Sequence, residues 1–215
     1  MPPTTRRRQA QRSAETKRRL VDAAIDCLIE YGYAHTTTVE ICGRAELTRG
    51  AYKHHYESTE ELFVDVVARL YERLAESTSA ENAGDSLESL IRSGWAKMKQ
   101  PEFKAVIEVW LANRNDPVLG AAISPEIARL AQLFAPGEIP TLTALFETDP
   151  SLVGFYRLGF ETLIGLALGR AASPGGAAVA HEEQVIETLL ALARRAENEA
   201  RADTARRPPR TGDTR

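Results

Sequence analysis

Eight consecutive residues in the first third of the chain carry most of its candidate chemistry. The stretch RGAYKHHY, residues 49–56, holds two cations, two tyrosines and two adjacent histidines. Side chains of these types can bind a metal ion, transfer protons or lie against a polyanion. Adjacent residues on a helix point about 100° apart, so His54 and His55 cannot chelate one metal ion together. Proton transfer needs a pocket, which a helix on a small exposed domain does not offer. A polyanion is therefore the favoured partner, with a merely solvated basic face as the alternative.

The net charge of the whole chain does not suggest a polyanion partner, whereas the net charge of its first 60 residues does. The 215 residues are 43% hydrophobic and 27% charged, which is typical of globular proteins, and the net charge is −3. Residues 1–60 carry a net charge of +2, and the remainder carries −5. A basic head on an acidic body is a pattern typical of nucleic-acid-binding proteins.

The compartment is indicated by the cysteines and by the absence of targeting patterns. Cys27 and Cys42 lie among apolar neighbours and are predicted to be buried free thiols in a reducing compartment. The Arg-rich start is not followed by the apolar segment of a secretion signal, and we find no run of about 18 apolar residues without charges. We therefore expect a soluble, cytoplasmic protein without a membrane span.

Apolar residues recur at steps of three and four along almost the whole chain, with proline or glycine at the gaps. This pattern predicts an all-α fold of about nine helices. The first 13 residues lack such periodicity and are interpreted as a disordered basic arm. Pro125 falls inside one helix, which it is expected to kink or split. The predicted helices are Ala14–Tyr31, short ones starting near Thr38 and Thr48, a long one opened by a Ser58–Glu61 capping box, and then Ser86–Gln100, Glu102–Asn115, Val118–Phe134, Ser151–Ala172 and His181–Ala200.

The two short helices have the spacing of a helix-turn-helix. Their mutual contact is predicted to use apolar positions, namely Ile41, Cys42, Ala45, Leu47 and Tyr52. The residues left outward on the second short helix are Arg49, Gly50, Lys53 and His54. Such a surface fits a major groove about 8.5 Å deep. Hydroxyls at the helix starts, on Thr37, Thr38 and Thr48, are expected to face the same anion.

The run LVDAAIDCLIEYGYAHTTTVEICGRAELTRGAYKHHYESTEELF resembles the TetR-type transcriptional repressors. The resemblance covers residues 16–70, about a quarter of the chain. It implies an N-terminal three-helix DNA-binding domain, a larger C-terminal helical domain for ligand binding and dimerisation, and a homodimer on DNA. It also implies phosphate contacts by Thr37, Thr48 and His55, beside the outward residues of the recognition helix. Together with the residue pattern, this predicts four segments: a disordered basic arm (1–13), the DNA-binding domain (14–57), the effector-binding and dimerisation domain (58–201) and a flexible tail (202–215).

Three positions depart from the family pattern. Glu46 stands where the family has glycine, in a turn that needs positive φ, which is expected to cost about 1 kcal/mol. Lys53 replaces a tyrosine, and a point charge is better suited to a phosphate than to a base. Thr59 replaces a lysine that clamps phosphate. We expect Lys53 and the arginines of the arm, residues 6–8, to compensate for that loss.

The C-terminal body offers candidates for two further sites. By the resemblance, aromatic residues line a cavity for a lipophilic or aromatic effector, although ordinary core packing or a solvated arginine is the alternative for each candidate. The effector candidates are Trp95, Phe103, Trp110, Arg114 and Phe155. Glycines 154, 159, 165 and 169 weaken the next-to-last helix unless they permit close helix contacts. The dimer-interface candidates there and on the last helix are Gly159, Leu163, Leu166, Ile186, Leu189 and Leu190, with burial inside one chain as the alternative.

These observations predict a sequence-specific, ligand-responsive DNA-binding regulator, most simply a repressor released by its effector. The expected partners are a near-palindromic double-stranded operator, a small effector and a second copy of the chain, with no membrane, metal or other cofactor. No nucleophile beside a base and no phosphate loop is present in the sequence, so we do not expect an enzyme. The alternative is a small-molecule-binding helical protein whose degenerate head no longer reads DNA.

Overall fold

The computed structural model describes residues 3–76, 86–132, 143, 146–147, 149 and 151–206. Over these ranges it contains no strand, and the predicted all-α fold is confirmed. The predicted loop at residues 77–84, the Pro136–Gly137 break and the tail from residue 207 lie outside the described residues. The α-helices in the described ranges are α1 Pro3–Tyr31, α2 Thr38–Arg44, α3 Arg49–His55, α4 Thr59–Glu76, α5 Leu87–Met98, α6 Pro101–Asn115, α7 Pro117–Gln132, α8 Ser151–Ala172 and α9 Glu182–Arg206.

Helix α1 begins at Pro3, eleven residues before the predicted start, so the prediction of disorder is wrong over residues 3–13. Arginine, glutamine and alanine favour helices, and proline is tolerated in a first turn. Adding such residues to a helix already packed at its other end needs no new nucleation. Helix α9 likewise continues to Arg206, beyond the predicted Ala200. Pro125 lies inside α7 without splitting it.

The chain forms two compact units. Unit 1 consists of Met1–Ser77 and Lys99–Leu133, which contain α1 to α4, α6 and α7. Helix α4 packs against α1, α6 and α7. Its apolar side, whose residues recur at steps of three and four, is buried through Leu62, Phe63, Val66, Val67, Leu70 and Leu74.

The end of α1 is fixed by α6. Gly32 has φ of 76° and its N–H donates to the Leu28 carbonyl at 3.0 Å, so the predicted helix stop is confirmed. From α6, Lys104 Nζ donates to the Ile29 carbonyl at 2.7 Å, and Glu108 Oε2 accepts the Tyr33 N–H at 3.0 Å. A Cβ at position 32 would lie 2.9 Å from the same carboxylate oxygen. Glycine is favoured here by the positive φ, and a side chain would also displace the Glu108 carboxylate.

Unit 2 consists of Thr78–Met98 and Phe134–Arg215, which contain α5, α8 and α9. These three helices pack against one another. Glu197 of α9 is buried, with 7% of its surface exposed. Its carboxylate accepts the Leu87 N–H at 3.2 Å and an Arg201 N–H at 2.6 Å. A group distant in sequence thus satisfies an otherwise unpaired N–H at the start of α5.

The predicted dimer residues lie in the core of unit 2. Leu163 is 3% exposed and Leu190 is fully buried, and the other four are also buried within the single chain. A Cβ on Gly159 would lie 3.8 Å from Leu189 and 3.9 Å from Ile91, so this glycine does permit close packing. Gly154 and Gly165 have no such neighbour within 4 Å. Among the described residues, these two glycines therefore permit no close packing of this kind.

Helix α8 also passes, by length and composition, as a candidate membrane span. It is 22 residues long, with a mean hydropathy of 1.3. One such helix is weak evidence for a membrane protein, and α8 contributes five buried residues to the packing of unit 2. We interpret it as a core helix.

The turn between α2 and α3 is strained, as the sequence predicts. Glu46 has φ of 53°, and it is the one non-glycine residue with positive φ in the described ranges. Arg19 of α1 donates to the Ala45 carbonyl at the end of α2 and lies 3.7 Å from the Glu46 carboxylate. The Leu47 N–H donates to the Cys42 carbonyl at 2.9 Å. The turn is held by its surroundings in spite of its central residue.

Replacing Glu46 by glycine is expected to raise the free energy of unfolding by about 1 kcal/mol, because glycine adopts positive φ without the Cβ clash. For a chain of this size the corresponding rise in Tm is about 2–4 °C. Calorimetry measures it, with Glu46→Ala as the control that removes the charge and keeps the strain. A Glu46→Gly variant no more stable than Glu46→Ala would contradict the strain.

Candidate DNA-binding surface

Both short helices begin at a threonine that caps them. The Thr37 hydroxyl oxygen accepts the Glu40 N–H at 3.3 Å, and the Thr48 hydroxyl oxygen accepts the Ala51 N–H at 3.1 Å. Each cap contributes about 1 kcal/mol. Each hydroxyl keeps its own hydrogen for a further acceptor such as a phosphate oxygen. Both threonines are exposed.

The inner face of the helix-turn-helix is packed largely as predicted. Ile41 is fully buried, and Cys42, Ala45 and Tyr52 are 4–5% exposed, whereas Leu47 is only half-buried. The Tyr52 hydroxyl donates to the Ser58 carbonyl at 3.3 Å. Burial raises the pKa of the Cys42 thiol, so it stays protonated and unreactive at neutral pH. With Tyr52 inward, the opposite side of α3 must face outward.

That opposite side carries the predicted recognition residues. Arg49, Gly50, Lys53 and His54 are all exposed. In the described part of the chain, neither Arg49 nor Lys53 forms an ion pair. A Cβ on Gly50 would meet only the Thr48 hydroxyl, at 3.7 Å, so its backbone is open to a close partner. The two remaining predicted DNA contacts, Thr38 and His55, are half-buried.

His55 differs electrostatically from an ordinary histidine. Burial, together with the nearby His54 and the Lys17 ammonium, lowers its pKa below 6.5. The lowered pKa favours the neutral imidazole, which has one N–H to donate. The rings of His54 and His55 meet edge-on with their centroids 5.3 Å apart.

Sequence inspection does not identify the group that fixes the end of the recognition helix. Tyr56, which is 1% exposed, ends α3 and donates its hydroxyl to Asp65 Oδ2 of α4 at 2.7 Å. Lys17 of α1 donates to the same oxygen at 2.8 Å, with its ammonium 5.0 Å from the centre of the Tyr56 ring. Burial and the adjacent carboxylate raise the pKa of Tyr56 well above its ordinary value. We call these three residues the Asp65 cluster.

The start of α4 is capped as predicted. The Ser58 hydroxyl oxygen accepts the Glu61 N–H at 3.2 Å, and the Glu61 carboxylate accepts the Glu57 N–H at 2.9 Å. The predicted capping box therefore reaches back one residue further than its usual form. Thr59, at the position of the family's lysine, is half-buried and begins the helix.

The predicted effector residues are divided between the two units. Phe103 and Trp110 meet edge-on at 6.1 Å in unit 1, where Arg114 is exposed to solvent. Trp95 and Phe155 belong to unit 2, where Trp95 is buried. A cavity of about 30 Å³ inside unit 2 is lined by Phe155 and by Leu87, Leu90, Ile91, Tyr156, Gly159, Phe160 and Leu163. That volume holds about one water molecule.

Comparison with family models agrees with the geometry of the head. The model for bacterial regulatory proteins of the tetR family matches residues 20–66. These residues span most of α1, all of α2 and α3, and the first part of α4.

Similar whole proteins are transcriptional regulators. The HTH-type transcriptional regulator CymR of Pseudomonas putida is 30% identical over 129 residues, which cover 58% of this chain and 64% of CymR. An HTH-type transcriptional repressor of Mycobacterium tuberculosis is 29% identical over 119 residues, which cover 55% of this chain and 62% of the repressor. The chain thus spans less than two thirds of either relative.

Solved structures share the fold. A transcriptional regulator from Rhodococcus sp. Rha1 superposes with a TM-score of 0.64 at 22% identity, over 84% of this chain and 96% of that one. The multidrug binding protein EbrR, solved with malachite green, superposes with a TM-score of 0.56 at 20% identity, over 82% of this chain and 97% of that one. At this level of identity the likeness concerns the fold alone.

The Asp65 cluster predicts a pH-dependent contribution to stability. Tyr56→Phe is expected to lower the free energy of unfolding by about 1–2 kcal/mol at pH 7, because it removes a part-buried hydrogen bond to a carboxylate. Because the folded-state pKa of Tyr56 is raised above its ordinary value of 10.0, this contribution is present below pH 10 and declines as the pH rises beyond it. Urea unfolding of both proteins between pH 7 and 11 measures it. A deficit that stays constant across this range would contradict the raised pKa.

Proposed function

We propose that this chain is a member of the tetR family of bacterial regulatory proteins, whose model matches residues 20–66, and that it is a sequence-specific DNA-binding transcriptional regulator of the cytoplasm. Its activity is most simply repression that a small effector relieves. The observation that carries the proposal is a capped helix, α3, whose inner face is locked by Tyr52 while unpaired cations face outward.

The outward residues divide by chemistry into two roles. Arg49 has the planar, five-donor group that reads guanine edges in a major groove. Lys53 and the hydroxyls of Thr37 and Thr48 suit phosphate oxygens, which position a protein without reading sequence. The open backbone at Gly50 lets α3 approach the DNA closely. Two such heads on a two-fold dimer fit half-sites about one helical turn apart.

Binding to DNA that flanks the protein's own coding region tests this proposal. We expect a discrete, salt-sensitive complex in a mobility shift assay with random DNA as competitor. Arg49→Ala is expected to weaken specific binding by about 1–3 kcal/mol and to reduce sequence preference. Lys53→Ala is expected to weaken specific and random binding alike. Arg92→Ala, which removes an exposed arginine from α5, is the control for charge alone.

Two outcomes would contradict the proposal in different ways. Binding unaffected by both α3 substitutions would show that the recognition surface is elsewhere. Binding no better than to random DNA, also after genome-wide selection of bound fragments, would favour the degenerate head, with Glu46 as its most evident defect. Steep salt dependence without sequence preference would indicate a head that binds DNA and does not read it.

For the homodimer we propose a face different from the buried residues that the sequence indicates. Leu158 and Leu192 are 58% and 46% exposed on α8 and α9. They border an apolar groove of about 350 Å³ with Thr162, Gln184, Val185, Thr188 and Leu189. Exposed apolar surface of this kind marks an interaction site. Gly165 lies one turn beyond Thr162 on α8, and a Cβ there would meet none of the described residues within 4 Å, so it offers a partner helix close approach.

Replacing Leu158 by aspartate is expected to shift the protein from dimer to monomer, because a charge cannot be buried unpaired in an apolar interface. Analytical ultracentrifugation measures the mass. Leu111→Asp, at a leucine of α6 that is 55% exposed, is the matched control and should remain dimeric. A dimeric Leu158→Asp variant would exclude this face.

For the effector we retain a lipophilic or aromatic molecule bound by the C-terminal helices. The support is the aromatic content of that body, and EbrR shows that the shared fold can hold an aromatic dye. The 30 Å³ cavity of unit 2 would have to enlarge to admit one. To act as a switch, the effector must bind the released state better than the DNA-bound state. Release of operator DNA by an aromatic ligand in the mobility shift assay tests this.

A further inference from the structure

The helical extension of α1 forms one wall of an open groove beside the recognition helix. The groove has a volume of about 480 Å³ and is lined by Gln9, Ala10, Arg12, Ser13, Thr16, His54 and His55. On α1 the lining residues recur at steps of three and four, so they form one stripe along the helix. On α3 the two histidines form the opposite wall. Because residues 3–13 are helical, this groove has a fixed shape that a disordered arm would lack.

The lining of the groove is suited to an anion. Six of its seven residues carry a side-chain hydrogen-bond donor and none is acidic. Arg12 is exposed and forms no ion pair with any described residue. Arg7 and Arg8, one turn earlier, are also exposed. No acidic residue precedes Glu15, and Glu15 is engaged by Arg18 at 2.9 Å.

The position of the groove beside the recognition helix indicates that the anion belongs to DNA. His54 belongs both to the groove and to the outward face of α3, so a DNA strand that contacts the recognition surface passes the groove. His55 also lines the groove and contributes an imidazole N–H donor. Thr16 is less available, because its hydroxyl donates to the Arg12 carbonyl at 2.9 Å.

We propose that this groove holds the phosphodiester backbone of the operator, with Arg12 as its principal cation and His54 and His55 as donors. The proposal rests on the proposed DNA-binding function and adds a second contact surface to it. Because phosphates are the same at every base pair, this contact adds affinity and no sequence preference.

The salt dependence of operator binding tests the groove in the full-length protein. Arg12→Ala is expected to lower the affinity of the dimer about 25- to 100-fold at 0.1 M salt and to reduce the slope of log K against log salt by about 1.8, as for two lost phosphate contacts, one in each half-site. Specific and random DNA should be weakened by the same factor. Arg12→Lys should restore most of the affinity, because it keeps the charge. Arg18→Ala, which removes the same charge from another face of α1, should change the slope less.

Ethylation interference identifies the contacted phosphate. We expect one phosphate in each half-site at which ethylation weakens the wild-type complex and leaves the Arg12→Ala complex unchanged. If the salt slope of Arg12→Ala equals that of the wild type, or falls only as much as that of Arg18→Ala, the proposed phosphate contact in the groove is wrong. The regulator proposal would remain intact. Wild-type protein that binds no DNA would overturn the proposed function and this inference together. Unchanged helicity by circular dichroism controls for folding, since Arg12 is exposed.

Discussion

The direction in which the recognition helix faces depends on one carboxylate. Asp65 of α4 accepts hydrogen bonds from Lys17 of α1 and from Tyr56, the residue that ends α3. Seven-residue helices are too short to be stable alone, so α2 and α3 take their positions from their neighbours. The cluster joins three elements that are distant in sequence. The outward residues of α3, the groove beside it and the start of α4 are therefore all positioned relative to Asp65.

Local features were predictable from sequence because neighbouring residues determine them. Patterns spanning a few residues predict the threonine caps, the end of α1 at Gly32 and the apolar side of α4. The positive φ at Glu46 was predictable because this residue stands where the family has glycine. The extension of α1 was not predictable in this way, because residues 3–13 lack an apolar stripe although their helix propensity is good. The Asp65 cluster pairs residues 9 and 48 positions apart, which no local pattern reveals.

The C-terminal body shows a different limit of sequence reasoning. Helix α8 is apolar on nearly all sides, so its sequence does not distinguish the face that packs within the chain from a face that a second copy would cover. The structure assigns Leu163 and Leu166 to the core and leaves Leu158 and Leu168 exposed. Aromatic residues chosen for an effector share a residue type and no common periodicity, and they are divided between the two units. Residue type alone could not bring them together.

The two units are interleaved along the chain, and this sets the order in which they can be completed during translation. Helix α5 belongs with α8 and α9, yet it emerges from the ribosome before α6 and α7 of unit 1. The Leu87 N–H meets its partner Glu197 only 110 residues later. The DNA-binding head and its supporting helices can therefore fold on the nascent chain first. The apolar side of α5 stays uncovered until α8 and α9, the helices that pack against it, have been synthesised.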